Sequence, residues 1–326
     1  MRMLLSTWTL LVALSVVVFG IRTYTRKRQR ASLIRRDEER VLILGASSGI
    51  GRDIAHRYAA QGAKVCVVGR RDDKVMAVVD ECRARSFTLK GTIGITADIT
   101  NVKDMVRVRS ILEEEWGGID TVIVSAGVSA TKPLLEIAGV GLQQDLDPCE
   151  EGIQVAINVA EAAIRGNYLG PMIAAVSLIP ILKRTSKSPS VLLISSLGAV
   201  IPAPTRTLYG STKSASLLLY QALAIEHPSI CFSFVLPSTV AGDFRASAVD
   251  QSNSQPAEIT VETTFNPNST PGLKSYYVAK RCIQAVDHSE KVVFIPRTMR
   301  IGHLLYWIWP SLIENKARKK YSFTPK

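Results

Sequence analysis

Seven short apolar runs, separated mostly by stretches of helical periodicity, limit the architecture of this chain more than any other feature. They are residues 41–44 (VLIL), 64–68 (KVCVV), 93–99 (IGITADI), 121–124 (TVIV), 191–194 (VLLI), 230–236 (ICFSFVL) and 292–295 (VVFI). Apolar runs of this length without polar alternation suit strands buried on both faces. Strands alternating with helices imply a parallel sheet covered on both sides. The expectation is an α/β fold in a single domain over residues 40–298. Within it, residues 139–165 are long for a connection and include an acidic piece, which predicts an insertion. Residues 248–272 are rich in Ser, Thr, Asn and Pro and predict a loop, drawn here as 241–275.

The ends of the chain differ from this body. The formal charge is +12, of which residues 22–40 carry +5, residues 314–326 carry +4 and Arg2 adds one, leaving a body of +2. A near-neutral body argues against nucleic acid as a partner. Residues 3–21 (MLLSTWTLLVALSVVVFGI) hold no charge, and a membrane-spanning helix needs about 20 residues. A cleaved signal would have a shorter apolar core and a small-x-small site; Phe19-Gly20-Ile21-Arg22 offers none. The reading is an N-terminal transmembrane helix over residues 1–21 and a basic juxtamembrane linker over 22–39. The basic flank places the body in the cytosol. Five cysteines without a C-x-x-C pair exclude a disulfide scaffold and a zinc ribbon, suit a reducing compartment and give no metal site. In the tail, 299–326, residues 301–313 (IGHLLYWIWPSLI) precede Lys316, Arg318, Lys319 and Lys320. That segment is too short to span. It suits a membrane interface, or packing on the body or a second subunit.

The first apolar run enters Gly45-Ala46-Ser47-Ser48-Gly49-Ile50-Gly51 and then a helix. Glycine lets backbone amides approach a pyrophosphate, and a helix N-terminus supplies partial positive charge there. Position at the first strand-to-helix junction is what gives weight to a G-x-x-x-G-x-G spacing, since three glycines alone say little.

This segment resembles the short-chain dehydrogenase/reductase family, whose turn reads T-G-x-x-x-G-x-G; Leu44 stands where the family has Thr. The resemblance implies a Rossmann-type doubly wound parallel sheet and a dinucleotide site at Gly45, Ser47, Ser48, Gly49, Ile50 and Gly51. The second run ends at Gly69-Arg70-Arg71, with no acid to hold a ribose 2′-hydroxyl. Arg70 would pair with a 2′-phosphate, as would Ser47, so NADP(H) is expected rather than NAD(H). The third run is expected to end at Asp98 and Ile99, with Asp98 on the adenine or capping the next helix. Ala126 and Gly127 match the family's N-N-A-G, while Val124 and Ser125 replace its Asn pair. Pro237 and Val240 match P-G-x-V-x-T, while Ser238 and Gly242 depart from it.

Tyr209-Gly210-Ser211-Thr212-Lys213 is Y-x-x-x-K, a spacing that places both side chains on one helix face. A nearby ammonium lowers a phenol's pKa and makes it a usable proton donor. Tyr276 and Lys280 have the same spacing. Ser196 separates the two, because it ends an apolar strand thirteen residues before Tyr209, whereas Thr263 precedes Tyr276 in a polar segment. Ser195 is the neighbouring alternative. Asn167 fits the family's N-x-x-G, and Asn158 does not.

The resemblance therefore implies a catalytic set of Asn167, Ser196, Tyr209 and Lys213, with Tyr209 and Lys213 also at the cofactor. It is closest in style to membrane-anchored hydroxysteroid and retinol dehydrogenases. The implied activity is reduction of a carbonyl on a lipophilic substrate (a ketolipid, sterol or long-chain aldehyde), with residues 241–275 as the substrate loop. The implied setting is the endoplasmic reticulum membrane, crossed once, with a homodimer as a further expectation. The rival is an inactive dinucleotide-binding membrane scaffold or redox sensor, which the departures at Leu44, Val124, Ser125 and Gly242 favour and the intact catalytic set opposes.

Overall fold

All seven apolar runs are strands. They form β1 (Arg40–Leu44), β2 (Lys64–Gly69), β3 (Thr92–Thr96), β4 (Thr121–Val124), β5 (Ser190–Ile194), β6 (Cys231–Pro237) and β7 (Val292–Ile295). The computed structural model describes residues 8–20, 30, 33–87, 91–141, 146–245, 248–251 and 272–323. The strands make one sheet in the order β3-β2-β1-β4-β5-β6-β7, and every neighbouring pair is parallel. The order reverses between β1 and β4, the switch point where Rossmann-type sheets open a crevice at their C-terminal edge.

Strand side chains alternate between two cores. Leu42 and Leu44 pack with Met105, Val108 and Leu112 of α4 (Val102–Trp116), with Leu178 and Leu182 of α7 (Gly170–Thr185), and with Tyr220 of α8 (Thr207–Glu226). Val41 and Ile43 pack with Ile54 and Tyr58 of α2 (Gly49–Ala60), with Val75 and Val79 of α3 (Asp72–Arg85), and with Val278 and Cys282 of α9 (Ser275–Asp287). Burial on both faces explains why the inner strands lack polar alternation, while the edge strands β3 and β7 are partly exposed.

The third run is shorter than its apolar length suggests. β3 stops at Thr96, and Asp98 lies beyond it in a turn. Its side chain accepts the N–H of Thr100 at 2.8 Å, and the cap of α4 is Asn101, which accepts from Lys103 and Asp104. Much of the long connection is helix. A short α5 (Leu134–Ile137) is followed by α6 (Glu150–Ile164), which runs through a π-turn at Arg165–Leu169 into α7. Residues 150–185 are the one helical stretch among the described residues long and apolar enough to cross a membrane, but half of the apolar window is buried in this domain.

Among the described residues just ahead of β1, two arginines dock on the body, as does Arg40 at its first position. Arg30 is buried, donates to Glu39 at 2.7 Å and reaches Thr121 and the carbonyl of Ser188. Arg36 pairs with Glu39 and Asp287 and lies over the Tyr58 ring. Arg40 makes a two-pronged bond to Asp120 at 2.8 and 2.9 Å. Glu39, Thr121 and Ser188 stand at the N-terminal edge of the sheet, so this docking is at the edge away from the strand C-termini.

Helix α1 (Trp8–Gly20) is apolar and short of a full span. Its large side chains are exposed, Phe19 by 71%. Residues 1–7 and 21 of the expected anchor lie outside the described residues. The C-terminal segment forms α10 (Met299–Ile308) and α11 (Pro310–Lys320). His303 of α10 lies 3.2 Å from the carbonyl of Val200 and stacks on Phe294, while Trp307, Ile308 and Trp309 are exposed.

Candidate active site

The turn after β1 is shaped to admit a phosphate. Gly45 has φ +84°, in the left-handed region, and a Cβ there would press on the backbone of Ala126. A Cβ on Gly51 would fall against the Gly45 carbonyl. Both glycines are fixed by close backbone approach. Ser48 is the N-cap of α2 with extended backbone, and its side chain makes no capping bond. The first N–H groups of α2 are thus left for a ligand. The Ser47 hydroxyl lies against Gly69, which ends β2. Arg70 and Arg71 follow, both exposed and with no side-chain hydrogen bond or ion pair among the described residues.

The remaining expected cofactor residues sit at strand ends along the same edge. Ile99 is buried against Gly170. Ala126 lies over Gly45, and Gly127 faces Asn167 and Lys213 so closely that a Cβ would meet Asn167 Oδ1 at 2.8 Å and Lys213 Nζ at 3.0 Å. Pro237 ends β6. Val240 pairs with Leu273 in a parallel bridge. The residues present fit a nicotinamide dinucleotide: two glycines leave room for its phosphates, and a helix end has unused donors.

The residues expected to be catalytic converge at the C-terminal ends of β4 and β5. Asn167 is fully buried. Its Oδ1 accepts the N–H of Val128 at 2.8 Å, while Nδ2 donates to the Val128 carbonyl at 3.0 Å and to Thr212 Oγ1 at 3.1 Å. It reaches the loop because the helix makes its π-turn there and Gly166 lets it run close to Val128. Asn158 is bound to Gln154 on an exposed face instead.

Ser196 Oγ and the Tyr209 ring flank the same point, 3.5 and 4.0 Å from where a Cβ on Gly198 would stand, and Ser196 Oγ accepts the N–H of Gly198 at 3.1 Å. The neighbouring Ser195 hydroxyl is buried without a hydrogen-bond partner. Tyr276 is half exposed on α9, so the second Y-x-x-x-K does not belong to this cluster.

Lys213 is buried and donates to the Ile194 carbonyl at 3.2 Å. Burial lowers its pKa to about 8. Tyr209 is half-buried. Burial raises its pKa, against the opposing pull of the Ser196 hydrogen bond and of the charges of Arg206 and Arg245. The sequence reading assigned that pull to Lys213; here it comes from the two arginines and the serine. Sequence reasoning missed both arginines. Arg206 had one available signal, its position three residues before Tyr209 on the same helical face. Arg245, brought in by a loop after β6, had none.

The arrangement sets a hydroxyl and a phenol on one point at the edge of the sheet, beside a nucleotide-sized cradle. Such a pair can donate a proton to an oxygen bound between them.

Known proteins agree with this picture. The family model for short chain dehydrogenases matches residues 39–253. Among curated proteins, the chain is 24% identical over 281 residues to 11-beta-hydroxysteroid dehydrogenase-like 4A of Arabidopsis thaliana, covering 86% of this chain and 83% of that one. It is 24% identical over 310 residues to dehydrogenase/reductase SDR family member 7B of Danio rerio, covering 92% and 91%. Among solved structures, a short chain dehydrogenase/reductase from Burkholderia phymatum in complex with NAD superposes with a TM-score of 0.67 at 17% identity, over 88% of this chain and 96% of that one. An alcohol dehydrogenase from Thermococcus sibiricus complexed with 5-hydroxy-NADP gives 0.60 at 22%, over 78% and 94%. At these identities the solved structures speak for the fold, while the family model covers most of the chain. The chain belongs to the short-chain dehydrogenase/reductase family and is an NAD(P)-dependent dehydrogenase/reductase.

Proposed function

We propose that the protein reduces a carbonyl on a lipophilic substrate with NADP(H), using Tyr209 as the proton donor. The observation that carries this reading is the placement of Ser196 Oγ and the Tyr209 ring around one point at the strand C-termini, with Lys213 and Asn167 buried behind them. A bound nicotinamide nucleotide supplies the hydride. Tyr209 gives its proton to the oxygen as negative charge develops there, and Ser196 hydrogen-bonds the same oxygen. Lys213 would hold the nicotinamide ribose. Asn167 fixes the loop after β4 and so the floor of the site. Gly45, Ser47, Ser48, Gly49, Ile50 and Gly51 would hold the phosphates, Asp98 and Ile99 the adenine, and Ala126, Gly127, Pro237 and Val240 the rest of the cofactor. Arg70, exposed and unpaired beyond β2, supports a 2′-phosphate and hence NADP(H).

The exposed apolar α1, with the uncharged residues on either side of it in sequence, supports a single membrane anchor. The basic residues behind it support a cytosolic body at the endoplasmic reticulum. A lipophilic substrate follows from that setting.

The test is the full chain in detergent micelles with NADPH and a panel of long-chain ketones and aldehydes. Tyr209→Phe should lower kcat by roughly 100-fold or more and leave NADPH binding near that of the wild type. Tyr276→Phe should be close to neutral. Tight NADPH binding with no turnover on any carbonyl would favour the scaffold reading instead.

A further inference from the structure

One guanidinium stands over the Tyr209 ring and a second follows the Phe244 that packs on it, with no carboxylate among the described residues paired to either. The Arg206 guanidinium carbon is 5.9 Å from the Tyr209 ring centre. One of its nitrogens is held by Ser129 Oγ at 3.2 Å and the Ala130 carbonyl at 3.0 Å. Arg245 closes the short helical turn Asp243–Arg245, whose Phe244 packs edge-on against Tyr209 at 6.0 Å. Arg245 interacts electrostatically with Arg206, Tyr209 and Tyr321. Neither arginine forms an ion pair among the described residues. Asp250 is occupied by the backbone N–H groups of Thr131 and Lys132, and Asp243 pairs with neither guanidinium. A further cation borders the group, because Lys320 lies 5.9 Å over the ring of Tyr321.

Like charges brought together cost free energy unless an anion joins them. Activation of the phenol does not account for this pair, since burial still outweighs both arginines at Tyr209. An anion on the substrate would relieve the repulsion and be gripped by forked donors.

We infer that the substrate carries an anionic oxygen group, a carboxylate or a phosphate ester, close to the carbonyl that is reduced, and that Arg245 with Arg206 binds it. The inference rests on the reductase reading above. The substrate is then an acidic amphiphile: the anion meets the arginines, the carbonyl meets Ser196 and Tyr209, and an apolar chain leads outward past Phe244.

The test uses two matched pairs with the full chain in neutral detergent and saturating NADPH. One pair is a long-chain 2-keto acid and its methyl ester. The other is a long-chain 2-ketoalkyl phosphate and the corresponding hydroxyketone. In at least one pair the anionic member should show a kcat/KM about ten times that of its neutral partner or more, a difference of about 1.4 kcal/mol. The pair that shows it tells carboxylate from phosphate. Arg245→Gln should cut that ratio about tenfold, and Arg245→Glu should turn the preference toward the neutral member. Arg245 is exposed, so these variants are expected to fold. Arg206→Gln, read by the same ratio, gives a second measure. Ratios near one in both pairs, or a preference that survives Arg245→Gln and Arg206→Gln, would overturn the inference while leaving the reductase reading intact. Failure to reduce any member, charged or neutral, would instead overturn the reductase reading and the inference with it.

Discussion

Asn167 grips Val128 by both of its backbone polar groups, accepting the N–H at 2.8 Å and donating to the carbonyl at 3.0 Å. This two-point hold ties the π-turn between α6 and α7 to the loop after β4, where Gly127 lies against Lys213. A carboxamide offers an acceptor and a donor in one plane whatever the pH.

Asn167→Asp keeps the shape and replaces the donor with an acceptor. It should destabilise the fold by about 1–3 kcal/mol, because the Val128 carbonyl and Thr212 lose a donor in a buried place. Asn167→Leu should cost at least as much. Urea unfolding of the detergent-solubilised protein measures this. If Asn167→Asp unfolds at the wild-type midpoint, the hold on Val128 contributes nothing.

The sheet was legible in the sequence because strands buried on both faces need unbroken apolar runs, and all seven runs supplied one. The end of β3 was misjudged for a related reason. Ala97 and Ile99 are buried, so apolarity continues past the last paired residue, Thr96, and a turn can bury side chains as well as a strand can. Tyr209, Ser196, Lys213 and Asn167 were legible through fixed spacings within or between consecutive elements. The cations facing Tyr209 were only partly so. Arg245 comes from a segment far along the chain, and no local pattern encodes such a meeting. The docking of Arg30 and Arg36 was hidden for the opposite reason. A run of arginines reads as a solvated basic block unless the buried acid that meets it, Glu39, is seen in place.

Lys213 makes stability depend on pH. Its pKa falls from 10.5 to about 8 on burial. Between these values the folded state binds fewer protons than the unfolded one, so stability rises with pH there. Below about pH 8 both states are charged and the cost of burying the ammonium is fully felt. The gain across the window is on the order of 3 kcal/mol in the protein without nucleotide. Lys213→Met should therefore stabilise the fold relative to wild type near neutral pH and lose that advantage toward pH 10. Denaturant titrations at a series of pH values give the difference curve. A flat curve would show that Lys213 keeps its charge in the folded state.

Cofactor choice should turn on Arg70. It is exposed, follows the Gly69 that packs on Ser47, and is free to meet a phosphate. Arg70→Asp removes a charge-assisted bond to a 2′-phosphate and adds an acceptor for a 2′-hydroxyl. The lost bond is about 1.5–3 kcal/mol, so NADPH should bind roughly ten- to a hundredfold more weakly and NADH somewhat more tightly. Fluorescence titration with both nucleotides checks this. An unchanged ratio of the two affinities would assign the choice to Arg71 or to another group.

Where the chain is cut ahead of the body should decide whether the body stays folded. Arg30 is buried against Glu39, and Arg36 pairs with the same carboxylate. Removing residues 1–21 leaves both arginines in place, whereas removing residues 1–38 takes both away and strands Glu39 beside Thr121 in a buried position. Breaking a buried pair by deleting one partner costs about 3–5 kcal/mol. The shorter deletion should release the protein from carbonate-washed membranes, wholly or in part, with little loss of thermal stability. The longer one should melt at a clearly lower temperature and be cut faster by protease. Arg30→Ala in the full chain separates this effect from loss of the anchor. It should lower the melting temperature and leave membrane attachment unchanged. Equal melting temperatures for the two deletions would mean that the Arg30 and Arg36 contacts add no stability. A shorter deletion that stays fully membrane-bound would shift attention to the exposed Trp307, Ile308 and Trp309 of the C-terminal helices.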